Sequence, residues 1–224
     1  MRVLLFGATG MVGRAALLEC LDDPDVTHVL AVGRRRVDLD HPKLQQLVTA
    51  DLFDLRPHAD VLTGWDACLF CLGVSSVGMP ADDYRHVTFD LTVAIGTLLA
   101  ERNPSMPLLY VSGAGTDSSE QGRTRWARVK GATENALFAL PLTAYAIRPG
   151  IIRARRGVSS RTGFYNALYR VVGWLTVPIK KVAPTTVIDS DELGRAMLVI
   201  ARTVPAQRVW EMRDLVELGR GQGG

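Results

Sequence analysis

Residues 2–13, RVLLFGATGMVG, decide how this chain is read. The run RVLLF at 2–6 is short and mostly aliphatic, which suits a strand buried on both faces of a parallel sheet. From Met11 to about Leu21 the apolar residues are spaced for one helix face, and the pattern stops at Asp22-Asp23-Pro24. Gly7, Gly10 and Gly13, with Thr9, Met11 and Val12 among them, therefore stand between a strand and a helix. In that setting Gly7 permits a tight turn, Gly10 lets the backbone approach a pyrophosphate, and Gly13 lets helix and strand pack closely. The helix start adds unpaired N–H groups and the positive end of its dipole. Without their flanks, the same glycines would be ordinary turn residues.

Working outward, apolar runs at 26–32, 44–49, 66–72, 108–112 and 142–147 read as further strands. Helical patterns occupy 11–21, about 82–102, 126–140 and about 189–202, and 209–212 reads as a terminal strand. This alternation predicts an α/β, Rossmann-like doubly wound parallel sheet. One domain is expected over 1–224, with about 151–224 partly forming a small C-terminal substrate lobe. There, Arg153, Arg155, Arg156 and Arg161 crowd a loop. They suit either recognition of a phosphate or carboxylate or simple solvation. A further helix is expected over FYNALYRVVGWL at 164–175, carrying Phe164, Tyr165, Tyr169 and Trp174, and its stripe should pack on the domain or on a second copy of the chain, as a homodimer contact, rather than on a membrane. The ending GRGQGG reads as a frayed tail.

Composition narrows the function classes. With 224 residues and 47% apolar content, the chain can bury a full core. A net charge of +3 gives no reason to expect nucleic acid as a partner. The basic side is 22 Arg against 4 Lys. Cys20, Cys68 and Cys71 are an odd count in a chain too long to need disulfides, so the expected compartment is the reducing cytosol. The C-x-x-C formed by Cys68 and Cys71 lies in the apolar run ACLFCLG, where buried strand thiols are expected rather than a redox pair. The start MRVLLFGATG does not read as a signal peptide, and no apolar run approaches the ~20 residues of a membrane span. No metal-ligand spacing is found for His28, His41, His58 or His86. A G-x-S-x-G elbow and an acid–histidine pairing are likewise missing, which argues against a hydrolase.

The end of the second strand selects the cofactor. An acid there accepts from the ribose 2′-OH of NAD, whereas arginine accommodates the 2′-phosphate of NADP. This chain has Gly33-Arg34-Arg35-Arg36 and no acid before Asp38. NADP is therefore expected in preference to NAD, through Arg34 and Arg35.

These landmarks resemble the short-chain dehydrogenase/reductase superfamily in its extended and atypical branches, and within it the epimerase-like proteins related to the Tat-interacting protein oxidoreductases. The resemblance rests on GATGMVG at 7–13, the basic turn at 34–36, Asp51-Leu52, Cys71-Leu72-Gly73, Tyr110-Val111-Ser112, WARVKGATENAL at 126–137 and Arg148-Pro149-Gly150. It implies that Asp51 and Leu52 flank the adenine, that Leu72 and Gly73 line the cofactor ribose, and that Pro149 and Gly150 cover the nicotinamide amide. It also implies catalysis by a Ser and a Tyr-x-x-x-Lys pair, in which Lys lowers the Tyr pKa and holds the ribose. Ser112 and Lys130 match, but Trp126 stands four residues before Lys130. An indole N–H donates a hydrogen bond and cannot act as an acid or base. The expected catalytic set is thus Ser112, Lys130 and Trp126 in place of Tyr. Tyr84, Tyr165 and Tyr169 are alternative proton donors and His86 a weaker one, while Tyr110 and Tyr145 are assigned to the core. The expected function is an NADP(H)-dependent oxidoreductase or epimerase-type enzyme on a small organic substrate, the alternative a non-catalytic NADP(H)-binding regulator.

Overall fold

The computed structural model describes residues 1–156 and 186–221. The expected helix carrying Phe164, Tyr165, Tyr169 and Trp174, with Arg161, lies outside those residues. Nine strands and six helices follow in chain order among the described residues. They are β1 (Arg2–Phe6), α1 (Met11–Asp22), β2 (His28–Gly33), β3 (Leu44–Val48), β4 (Ala67–Phe70), α2 (Ala81–Arg85), α3 (Leu91–Arg102), β5 (Pro107–Val111), α4 (Arg125–Phe138), β6 (Thr143–Arg148), β7 (Ile151–Arg153), β8 (Val187–Asp189), α5 (Ser190–Thr203), β9 (Val209–Glu211) and α6 (Met212–Gly221).

The strands that read as unbroken apolar runs do so because both faces of the sheet are covered. Seven strands pair in the order β3-β2-β1-β4-β5-β6-β9, every pair parallel. Alternate residues divide between two cores. Val3, Leu5, Leu69, Leu109 and Ile147 pack under α1 and α5. Leu4, Phe6, Phe70 and Tyr110 pack on the other face with Ile95 and Leu99 of α3 and Leu137 of α4. On that second face Phe6, Phe70 and Tyr110 form a cross-strand ladder, with ring centroids 5.4 and 6.0 Å apart. The chain steps outward from β1 to β3 and then crosses to β4 on the other side of β1. That crossover is where open α/β sheets bind ligands, outside the carboxyl ends of the strands.

Three details depart from the sequence reading. The helix expected over about 82–102 is interrupted by a π turn at His86–Asp90. The short parallel pair β7–β8 was not anticipated. The chain end is not frayed as far as Gly221: α6 packs on α5, and a Cβ added to Gly219 would lie 2.3 Å from the Glu192 carbonyl oxygen. No helix among the described residues is long and apolar enough to cross a membrane.

Candidate functional site

The glycine turn is interlocked with its neighbours at the crossover. Gly7 has φ +83°, and a Cβ there would meet the Cys71 carbonyl carbon and oxygen at 2.6 Å, so β1 and β4 leave no room for a side chain at their carboxyl ends. A Cβ on Gly13 would fall 2.2 Å from the Gly7 carbonyl oxygen, which is how closely α1 seats on the turn. Gly10 differs. It is the N-cap of α1 with an ordinary φ of −84°, makes no side-chain cap, and has room for a methyl, whose nearest neighbour would be Gly7 O at 3.4 Å. Glycine is therefore not demanded at position 10 by the protein's own packing, as it is at 7 and 13. A small residue at an uncapped helix start fits a ligand anion brought close to the backbone.

The turn just before that helix start borders a cleft lined by Gly7, Ala8, Thr9, Gly33, Arg34, Arg35, Gln46, Leu52 and Leu72, among others. Arg34 and Arg35 are exposed and make no ion pair among the described residues. Met11 and Val12 pack their side chains against the core and so can contribute only backbone to the cleft. Asp51 is exposed beside it; its Oδ1 accepts the Phe53 N–H at 2.7 Å, which fixes the turn. Gly73 lies exposed beyond Leu72, with open space where a Cβ would be.

A second group of residues gathers at the carboxyl ends of β5 and β6. Backbone bonds from Ser112 N–H to Ile147 O (2.8 Å) and from Ala114 N–H to Pro149 O (2.9 Å) continue the strand pairing into the loops. They bring Ser112 beside Pro149 and Gly150. The Thr116 hydroxyl donates to Gly113 O at 2.8 Å, so the proton in the 2.8 Å Ser112–Thr116 contact belongs to Ser112. Ser112 Oγ is left with lone pairs and can accept from a ligand hydroxyl. The Trp126 indole lies against the β5–α4 loop, within 4.0 Å of where Cβ atoms on Gly113 and Gly115 would be.

One turn along α4, partly buried Lys130 places Nζ 3.4 Å from Val111 O and 5.2 Å from the Tyr110 ring centroid. Burial pulls its pKa down to about 8, against the opposing pull of Glu134. Glu134, one turn further, is committed elsewhere: both its oxygens receive the Arg148 guanidinium, which also reaches Glu211 at 3.0 Å and Ser118. The sequence reading missed this buried cluster, since neither an isolated Glu in a helix nor the Arg of Arg148-Pro149-Gly150 announces a partner.

The lowered Lys130 pKa has a measurable consequence. The unfolded chain binds this proton more tightly, so the charged amine costs stability below pH 8, and the cost fades as pH rises from 8 to 10.5. Lys130→Met should therefore be more stable than the parent at pH 7 by about 1–2 kcal/mol, once partial exposure is discounted. Chemical denaturation at pH 7 and pH 10 should show this advantage shrinking. A constant difference would remove the ionisation argument.

Several expected candidates are corrected. Arg153 is bound bidentately to Asp189 at 2.5 and 2.6 Å, and Arg156 pairs with Glu19 and Asp22, so these two are structural rather than open anion receptors. Tyr84 is 1% exposed, sealed in the core rather than open to a ligand. Tyr165 and Tyr169 lie outside the described residues. An acid–histidine pair does exist: His86 Nδ1 lies 3.1 Å from Asp90 Oδ2, on the exposed π turn, with the ring stacked on Phe53. Burial raises the pKa of Cys68 strongly and that of Cys71 to about 12, the opposite of an activated thiol pair. Among the described residues no cluster of three or more His, Cys, Asp or Glu could hold a metal.

No protein-family model matches the chain. A relative, mitochondrial protein FMP52 of Eremothecium gossypii, is 28% identical over 205 residues, covering 90% of this chain and 88% of that protein. It overturns the cytosolic placement, because unpaired thiols report a reducing compartment without saying which one. Among solved structures, UDP-glucose 4-epimerase aligns with TM-score 0.69 at 14% identity, over 97% of this chain and 80% of that one. A Saccharomyces cerevisiae short-chain dehydrogenase/reductase aligns with TM-score 0.65 at 15% identity, over 97% and 98%. The Bordetella bronchiseptica enzyme WbmH, solved with NAD+, aligns with TM-score 0.65 at 14% identity, over 94% and 74%. The chain has the fold of the short-chain dehydrogenase/reductase superfamily.

Proposed function

We propose that the protein binds NADP(H), ahead of NAD(H), along the carboxyl edge of its sheet, and works as an oxidoreductase or epimerase-type enzyme on a small organic substrate. The observation that carries this reading is the Gly7–Gly13 interlock at the β1/β4 crossover, with the uncapped start of α1 directly following the turn residues Gly7 to Thr9 that border the cleft lined by Arg34 and Arg35. In this reading the backbone from Thr9 to Gly13 holds the pyrophosphate, and Arg34 and Arg35 take the 2′-phosphate. Asp51 and Leu52 take the adenine. Leu72, Gly73 and Lys130 take the riboses, and Pro149 and Gly150 the amide. The nicotinamide, when bound, supplies or takes up a hydride. Ser112 orients the substrate oxygen, and residues beyond 150 supply the substrate side. The seven landmarks from 7–13 to 148–150, taken together, support the branch related to the Tat-interacting protein oxidoreductases, and the relative carries the proposed location to mitochondria.

Trp126 supports a second reading, in which the site binds NADP(H) without turnover and reports its occupancy to a partner protein. NADPH oxidation across a panel of carbonyl compounds separates the two. Both readings need the 2′-phosphate contacts. Each is charge-assisted and worth roughly 1.5–3 kcal/mol, so Arg34→Ala and Arg35→Ala should each weaken NADPH binding ~10-fold or more and leave NADH nearly unchanged. Calorimetry measures this directly. Equal affinity of the parent protein for the two cofactors would end the NADP assignment.

A further inference from the structure

The arginine turn leaves the sheet at Gly33 and re-enters the core at Val37, which is 6% exposed. Its first end is held by the Thr49 N–H donating to Gly33 O at 3.1 Å. Its second end has no neighbouring strand, and a side chain takes that place. Gln46 of β3 accepts the Val37 N–H on Oε1 at 2.7 Å and donates from Nε2 to Val37 O at 3.1 Å. One amide thus satisfies the Val37 N–H and shares Val37 O with the Leu39 N–H, which donates to it at 2.9 Å, so that Gln46 stands beside this buried residue as a strand partner would. Nε2 also reaches Leu39 O at 3.5 Å. The same Gln46 lines the cleft together with Arg34 and Arg35.

We infer that Gln46 is a specificity-determining positioning residue: by clamping Val37 it sets where Arg34 and Arg35 stand, and so the preference for a 2′-phosphorylated adenosine. This rests on the NADP(H) reading above. Two exposed arginine side chains on a free turn would spread over many orientations, and an ordered turn brings both to one phosphate at lower entropic cost. The hydrogen bonds of the clamp go to Val37 and Leu39 rather than to either arginine. Its effect passes through the backbone of Arg36, which joins Arg35 to Val37.

Gln46→Met keeps the length and removes both hydrogen bonds. Gln46→Asn keeps an amide but shortens its reach, and serves if the first variant does not fold. The probes are adenosine 2′,5′-bisphosphate and adenosine 5′-monophosphate, which differ in the 2′-phosphate, followed by NADPH and NADH. Either variant should lose ~10-fold in affinity for the 2′-phosphorylated member of each pair and less than about 2-fold for the other. In an Arg34→Ala, Arg35→Ala background the same substitution should have no further effect on NADPH. Equal losses for both members of a pair would show a merely structural role for Gln46, and no loss would show no role; either overturns the inference while leaving the NADP(H) reading intact. A parent protein that does not distinguish the members of each pair, with arginine variants that change nothing, overturns both.

Discussion

Trp126→Tyr is expected to raise carbonyl reduction with NADPH by ~10²–10⁴-fold, the usual contribution of a positioned general acid. The substitution places a phenol four residues before Lys130 on one face of α4. The indole already lies against the loop between Gly113 and Gly115, next to Ser112, so a smaller ring at that position faces the same loop. Lys130 would then favour the phenolate, provided it carries its proton. With its pKa near 8, that proton is largely present at pH 7 and lost above 8, so the gain should decline above that pH. Lys130→Ala in the Tyr variant should abolish the gain. If the parent protein already turns over and the Tyr variant is no faster, the chain uses another donor. Tyr84 is excluded from that role by burial, which directs the search to the segment holding Tyr165. If neither form transfers hydride while both bind NADPH, the regulator reading stands.

Gly13→Ala should lower stability strongly, and Gly10→Ala almost not at all. A helical Gly→Ala change ordinarily gains up to about 1 kcal/mol. At position 13 that gain is outweighed, because the methyl would sit 2.2 Å from a backbone oxygen that cannot move aside without shifting β1 against α1. Backbone overpacking of this kind costs about 3 kcal/mol, which in a chain of this size lowers Tm by roughly 6–12 °C. At position 10 the methyl makes an ordinary 3.4 Å contact and the φ is unstrained, so Tm should hold while NADPH binding weakens ~10-fold or more. Thermal melts beside calorimetry separate the two effects. A normal melt for Gly13→Ala would mean that α1 does not seat on the turn as described.

Much of this was readable from residues whose neighbours lie close in sequence. RVLLF followed by glycines spaced at 7, 10 and 13 implied a buried strand, a tight turn and a helix start, because each demand is local. The apolar runs at 26–32 and 142–147 were legible for the same reason, both sheet faces being covered. Long-range pairings were not. Arg153 looked free until Asp189, 36 residues away, claimed it. The Glu134–Arg148 pair and the Gln46 clamp on Val37 span only 14 and 9 residues, but they join neighbouring elements whose side chains meet only once α4 packs beside β6 and β3 pairs with β2. The helix α6 was hidden by its glycines: the spacing of Leu215, Val216 and Leu218 was readable, but Gly219 and Gly221 suggested a tail. Gly219 is small because α5 lies against it.

The last strand of the sheet also bears on how the chain is made. β6 is complete at Arg148, but its outer partner β9 begins only at Val209, about sixty residues later. At translation rates of ~5–20 residues per second, the outer hydrogen-bonding edge of β6 stays unpaired for roughly 3–12 s after that strand is synthesised. Open edges of buried strands are templates for association with other chains. During that interval the nascent chain depends on chaperones, or on the speed of its own completion, to reach the paired state.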